Sequence, residues 1–186
     1  TKEYGEWKYQ SKHQFYVTEK LDGSSATYYI KDGEFGVCSR NLELLETEGN
    51  TFWKVARELN LEENMKATGK NISLQGELIG EGIQGNPYKI KGQTVRFFTG
   101  FDIDKYQRIS FPKLVVMLSD MGLQYVPILN QELGFVLPET VEDMLKYAEA
   151  KSVLNDKTER EGVVVRSMDG TISFKAISNK FLLNEK

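Results

Sequence analysis

The sequence predicts an α+β fold of mainly antiparallel sheets with inserted helices, on three observations. Short runs rich in β-branched and aromatic residues recur, among them "FYVTEK" (15–20), "SSATYYI" (24–30) and "EGVVVR" (161–166), with Asp-Gly turn pairs close by. Helical patterns fall between these runs without regular βαβ alternation. No repeat, low-complexity tract or linker interrupts residues 1–186, so a single compact domain is expected.

In chain order, "FYVTEK", "SSATYYI" and "EFGVCSR" read as a three-stranded meander joined by turns at Asp22-Gly23 and Asp32-Gly33. Asn50 then opens a helix over "TFWKVARELN", in which Phe52, Val55, Ala56 and Leu59 keep helical spacing. A more polar stretch (61–70) follows, and "NISLQGELIG" and "VRFFTGFDI" return to strand character. Ser110 caps a helix over "FPKLVVMLSDM" that Gly122 stops. Thr140 opens another over "VEDMLKYAEA", with Asp143 in the place of a capping-box Glu. "EGVVVR" and "TISFKA" flank the Asp169-Gly170 turn, and a short helix over "SNKFLLNE" follows.

Composition removes several function classes. At 186 residues with 40% apolar and 27% charged residues, the chain has the make-up of a soluble globular protein. A net charge of −3 argues against a generally basic nucleic-acid binder and leaves room for a local basic groove. The single Cys38 excludes an internal disulfide and fits a reducing cytosol, or a nuclear or host-cytosolic setting. With His13 as the one histidine, neither a His cage nor a Cys/His zinc site can be built. Cys38 as a nucleophile would need His13 or another base beside it, and a small strand-buried thiol is the plainer reading. No run reaches the roughly 18 apolar residues of a membrane span, and no signal peptide opens the chain. It begins at Thr1 without a methionine, as a processed chain or an excised domain would.

"GEGIQG" (80–85) matches the dinucleotide pattern G-x-G-x-x-G, and Asp102 lies downstream of it. That reading needs a helix to begin there, whereas "NPYKIKGQ" follows, with Pro87 and Gly92 against any helical period. No Walker loop is present. Phosphate would therefore be handled by cations, for which Lys20, Arg40, Lys89, Lys91, Arg166 and Lys175 are candidates. Asp22, Glu77 and Glu161 are carboxylates able to hold a hard metal ion. Singly, each is a solvated surface charge; their order along the chain carries the information.

"EKLDGSS", "SRN", "QGELIGEGIQGNPY", "FFTGFDI", "EGVVVR" and "SFKAIS", in that order from Glu19 to Phe181, resemble the motif series of the covalent nucleotidyltransferases. These are the ATP-dependent polynucleotide ligases and mRNA capping enzymes, and the chain looks most like RNA ligases of the Deinococcus and Naegleria type. The resemblance implies an adenylyltransferase domain of the ATP-grasp-like ligase and capping-enzyme type, acting in RNA repair. It implies ATP as co-substrate, a Mg2+ or Mn2+ ion, and nucleic acid with 5′-phosphate and 3′-hydroxyl ends in a nicked or bridged duplex, served by a monomer without membrane contact.

By this likeness Lys20 is the nucleophile that takes AMP from ATP, and Lys175 binds the α-phosphate. Asp22 and Glu161 hold the metal, through water. Glu19, Arg40, Glu77 and Phe98 complete the nucleotide site: Glu77 at the ribose, Phe98 stacked on adenine, Arg40 at the ribose or the strand phosphate. The last motif departs from the family's K-x-K pattern, because Ile177 stands at the second lysine position; Lys180 is the one nearby substitute. DNA ligases and capping enzymes continue into an OB domain at this point, whereas in the resembled RNA ligases an OB module precedes the catalytic domain. The alternatives are DNA ligase or guanylyltransferase chemistry on the same fold, or a nucleotide- or RNA-binding module without catalysis.

Overall fold

The structure, a computed structural model, describes residues 4, 14–130 and 135–184; His13 lies outside them. The chain forms two compact units, Thr1–Leu21 with Val126–Lys186 and Asp22–Tyr125, each with its own sheet and core. No helix among the described residues is long and apolar enough to cross a membrane.

The first unit is built on a three-stranded antiparallel sheet in the order β1-β8-β9, with β1 at Phe15–Lys20, β8 at Gly162–Ser167 and β9 at Ser173–Ile177. Strand alternation gives this sheet two unlike faces. Phe15, Val17, Val163, Val165 and Ala176 point to one side and form a core with Met144 and Ala148 of α4 (Val141–Ala148). Thr140 caps α4 as expected, its hydroxyl accepting the Asp143 N–H at 3.1 Å. A short helix, α5, covers Asn179–Asn184.

The second unit holds a six-stranded antiparallel sheet in the order β4-β3-β2-β5-β6-β7. Its strands are β2 (Ser24–Lys31), β3 (Glu34–Cys38), β4 (Glu43–Leu44), β5 (Ile72–Gly80), β6 (Gln93–Asp102) and β7 (Gln107–Arg108). Tyr28, Leu74, Leu78, Val95 and Phe97 face a core closed by α1 (Thr51–Glu58), α2 (Leu61–Ala67) and α3 (Phe111–Asp120). The cap signals hold: the Asn50 side chain accepts the Trp53 N–H at 3.2 Å. Gly122, at φ +68°, ends α3 with the paired bonds Leu123 N–H to Leu118 and Gly122 N–H to Ser119. Ser110 occupies the N-cap position of α3 without a side-chain bond.

Three expectations need correction. β1 does not pair with β2. It lies against β8, with Glu19 opposite Val163, and only the β2–β3 hairpin around Asp32-Gly33 survives from the meander. Gly23 accordingly serves a different need from a hairpin glycine. A Cβ there would stand 2.2 Å from the Leu78 carbonyl oxygen, so the residue is small because β5 passes against its backbone. The polar stretch after α1 is helical: Leu61 and Met65, one turn apart, are both fully buried and anchor α2 despite its charged remainder. Residues 81–92 form no helix, which disposes of the dinucleotide reading of "GEGIQG".

Candidate functional site

Lys20 is the last residue of β1 and stands opposite Gly162, the first of β8. Antiparallel pairing therefore delivers Glu161, one residue earlier, to the lysine: Nζ donates to the Glu161 carboxylate at 2.5 Å, with both side chains mostly buried. Gly162 is small for a reason of packing, since a Cβ there would meet the Ala176 carbonyl oxygen at 2.2 Å. The pairs Lys20–Gly162–Ile177 and Thr18–Val164–Lys175 put Lys20, Lys175 and Ile177 on one face of the sheet, the one away from the core. Arg166 shares that face and donates to the buried Thr18 hydroxyl at 3.0 Å. Lys175 is exposed and has no partner among the described residues, so its ammonium is available to an anion. It lies within β9 rather than at a strand end, and Glu77 likewise lies within β5. Ile177 holds the position where the family pattern has its second lysine, beside Lys20 across Gly162; Lys180 lies on α5, exposed.

Glu19 is not in the lysine's surroundings. Alternation turns it to the core side with Phe15 and Val17, where it is 1% exposed. Its carboxylate accepts the Ser152 hydroxyl and the Val153 N–H, each at 2.7 Å. The carboxylate thus pins the 149–161 segment that ends at Glu161 rather than facing the nucleotide site expected of it, and the carboxylate bonded to Lys20 is that of Glu161. Arg160 holds the same segment by donating to the Ala148 and Tyr147 carbonyls, and burial pushes its pKa down. Ser152, Arg160 and Thr18 were absent from the expectation. The parity of Phe15, Val17 and Glu19 is the sequence signal for this inward carboxylate.

In the second unit Glu77 lies directly opposite Arg96 and beside Ser25, on the sheet face away from the core. The register of β5 with β6 breaks between Gln75 and Gly76, stepping from Thr99 to Phe97, so Phe98 is the extra residue of a bulge. Such bulges re-aim a side chain. Phe97 is fully buried against Tyr28, whereas Phe98 is only partly buried. Arg40 is exposed just after β3, without a partner among the described residues. The Asp22 N–H donates to the Tyr88 hydroxyl at 2.5 Å, which ties the start of this unit to the glycine-rich segment 80–92. Cys38 is half-buried and its thiol pKa is pushed up, mainly by burial, which suits packing rather than nucleophilic attack.

Among the described residues no cluster of three carboxylate, His or Cys groups is arranged to hold a metal. Asp22 and Glu161, each in its own unit, are hard oxygen donors of the kind that Mg2+ and Mn2+ take.

An RNA ligase family model matches residues 13–180. The chain belongs to the RNA ligase family. Its fold is the nucleotidyltransferase type seen in solved RNA ligases. It is similar to an arginine-to-alanine mutant of Naegleria gruberi RNA ligase with ATP and Mn, at 42% identity and a TM-score of 0.91, covering 99% of this chain and 54% of that one. A glutamate-to-alanine mutant of the same ligase with ATP and Mn gives 40% and 0.91, covering 99% and 54%. A lysine-to-methionine mutant with AMP and Mn gives 40% and 0.90, covering 98% and 55%. The chain thus spans about half the length of these ligases. No curated protein matches it.

Proposed function

We propose that this chain is the catalytic, adenylyl-transferring part of an ATP-dependent RNA ligase, with residues 1–186 serving as one nucleotidyltransferase domain. The observation that carries the reading is the Lys20–Glu161 pair at 2.5 Å, on the sheet face that also bears Lys175. The related Naegleria structures with ATP, AMP and Mn support ATP as co-substrate and a divalent cation as its companion.

The chemistry runs in three transfers. The neutral Lys20 amine attacks the α-phosphorus of ATP; a P–N bond forms, the P–O bond to pyrophosphate breaks, and lysyl-AMP results. The Glu161 carboxylate is within hydrogen-bond reach to take the proton that Lys20 sheds. Lys175 on the same face neutralises charge growing on the α-phosphate oxygens. An RNA 5′-phosphate oxygen next displaces the lysine, giving a 5′-adenylylated strand. Finally the 3′-hydroxyl of the neighbouring strand attacks that 5′-phosphorus, and AMP leaves as the phosphodiester forms. Glu77 binds the ribose, Phe98 stacks on adenine, and Arg40 meets the ribose or a strand phosphate. Asp22 and Glu161 would hold the cation through water, where it would neutralise the carboxylate and phosphate charge around the amine.

The test is to incubate the purified chain with α-labelled ATP or GTP and Mg2+ or Mn2+, then denature it and follow the label. Label retained from ATP supports the reading. Label retained from GTP would make this a capping enzyme, and none from either would leave a nucleotide or RNA binder.

A further inference from the structure

The second unit carries a groove that none of the residues expected in the nucleotide or metal site lines. It encloses about 750 Å³ where the start of β5, the end of β6, the edge strand β7 and α3 meet. Along β5, Ile72 in its lining is five residues from Glu77, about 17 Å at the rise of a strand.

Four cations line this groove: Lys70, Lys105, Arg108 and Lys113. All four are exposed, and none of their side chains has a hydrogen-bond or ion-pair partner among the described residues. Three cations elsewhere in the unit show what pairing looks like: Lys54 lies against Glu58, Arg57 against Glu46 and Glu62, and Lys66 against Glu62, whereas Arg40 is unpartnered like the four in the groove. Two carboxylates, Asp102 and Asp120, also line the groove, and Asp102 accepts the Lys105 backbone N–H at 3.0 Å. A surplus of unpaired cations on a chain of net charge −3 marks a place for a polyanion.

An aromatic ring stands in the adjoining turn, outside the groove's own lining. Tyr106, between Lys105 and Gln107, is 84% exposed in the β6–β7 turn, with φ +51° and its ring braced edge-on against Phe101 at 5.3 Å. A braced, exposed ring beside unpaired cations is the combination that single-stranded nucleic acid uses, bases stacking while phosphates meet the charges. An acidic peptide would use the cations but has no need of the ring.

We propose that this groove binds the backbone of a single-stranded RNA segment away from the ends being joined, with one base stacked on Tyr106. The choice of RNA as the polyanion rests on the ligase reading. The groove would hold a substrate strand by its flank and set its position before the ends react.

The test measures binding of a short fluorescent single-stranded RNA to the full chain over a range of salt concentrations, alongside self-adenylylation. The variant Lys70→Glu/Lys105→Glu/Arg108→Glu/Lys113→Glu should weaken RNA binding by about tenfold or more. It should also flatten the slope of log affinity against log salt by about 3, at roughly 0.7 per lost phosphate contact. Tyr106→Ala should weaken binding roughly tenfold with the slope unchanged, since a stack carries no counterion release. Self-adenylylation should persist in both. If the fourfold variant does not fold, Lys70→Glu/Arg108→Glu and Lys105→Glu/Lys113→Glu should each lose about half of that slope. Unchanged RNA affinity and slope would overturn the proposal, as would polyglutamate competing as well as RNA. A wild-type chain that takes no label from ATP would overturn the ligase reading, while the RNA measurements would still decide the groove.

Discussion

The two sheets are assembled by opposite routes. The six-stranded sheet is stitched mostly from sequence neighbours: β2 turns back into β3 at Asp32-Gly33, and β5, β6 and β7 follow one another in order. The three-stranded sheet joins the two ends of the chain, so that Lys20 meets Glu161 across 141 residues of sequence. Closing so long a loop costs conformational entropy that only the packed core of Phe15, Val17, Val163 and Val165 can offset. On the proposed function the covalent step belongs to the long-range sheet. Glu77 and Phe98 belong to the local one.

The largest expected effect tests that division directly. Lys20→Ala should abolish self-adenylylation while leaving the chain folded, because the side chain takes no part in the core and losing the partner of the Glu161 carboxylate costs about 1–3 kcal/mol. Label persisting in this variant would remove Lys20 from the mechanism and with it the long-range sheet's claim on the chemistry.

Glu19 sharpens the comparison next. Glu19→Ala would strand the Ser152 hydroxyl and the Val153 N–H, at about 1–3 kcal/mol for each buried donor. Urea unfolding should therefore show a loss of about 2–6 kcal/mol. Glu19→Gln should keep one acceptor and lose less. A side chain that contacts nucleotide instead would raise the KM for ATP and leave the unfolding midpoint unmoved.

The two Asp-Gly pairs differ in the same sense. Gly33 sits in open space at φ +80°, as a hairpin turn demands, whereas Gly23 is packed against the Leu78 carbonyl. Gly23→Ala should cost about 2 kcal/mol or more through overpacking. Gly33→Ala should cost about 1 kcal/mol of left-handed strain. Asn, which tolerates positive φ, should restore stability at position 33 and not at 23. Equal costs, or rescue by Asn at both, would mean that Gly23 is a turn glycine after all.

What was legible in the sequence follows the same line. The caps at Asn50 and Thr140, the stop at Gly122 and the Asp32-Gly33 hairpin are local devices, each readable within four residues. The partner of β1 was not, because nothing near "FYVTEK" names a strand some 145 residues away. α2 was hidden because just Leu61 and Met65 of its seven residues are buried. The order of six motifs made the candidate site legible, but that order is silent about direction. It put Glu19 in the nucleotide site with Lys20, and only the parity of an in-and-out strand turns one inward and the other outward.

Phe97 and Phe98 extend the parity argument to the local sheet. Phe98→Ala should weaken ATP binding by about 1–3 kcal/mol with little change in stability. Phe97→Ala should instead cost about 3–5 kcal/mol of folding stability, as a core ring does. If Phe97→Ala weakens ATP binding more than Phe98→Ala in folded protein, the bulge does not select the ring assigned to adenine.

The smallest effect concerns ion pairs. Lys20–Glu161 is long-range and mostly buried, whereas Glu62 pairs with Lys66 one turn away and with Arg57 across the α1–α2 junction, nearer to solvent. Lys66 first and Arg57 second hold the Glu62 carboxyl below its usual range. A carboxyl lowered in the folded state adds stability above its unfolded pKa, near 4.3, and loses it as pH falls through the lowered value. For pairs this exposed the contribution is about 0.5 kcal/mol. Wild-type protein should thus exceed Glu62→Gln by about that amount at neutral pH in low salt, and the difference should vanish in acid or in concentrated salt. A difference that survives both would mean that Glu62 acts through packing or hydrogen bonding rather than charge. The local pair would then be no weaker in kind than the long-range one.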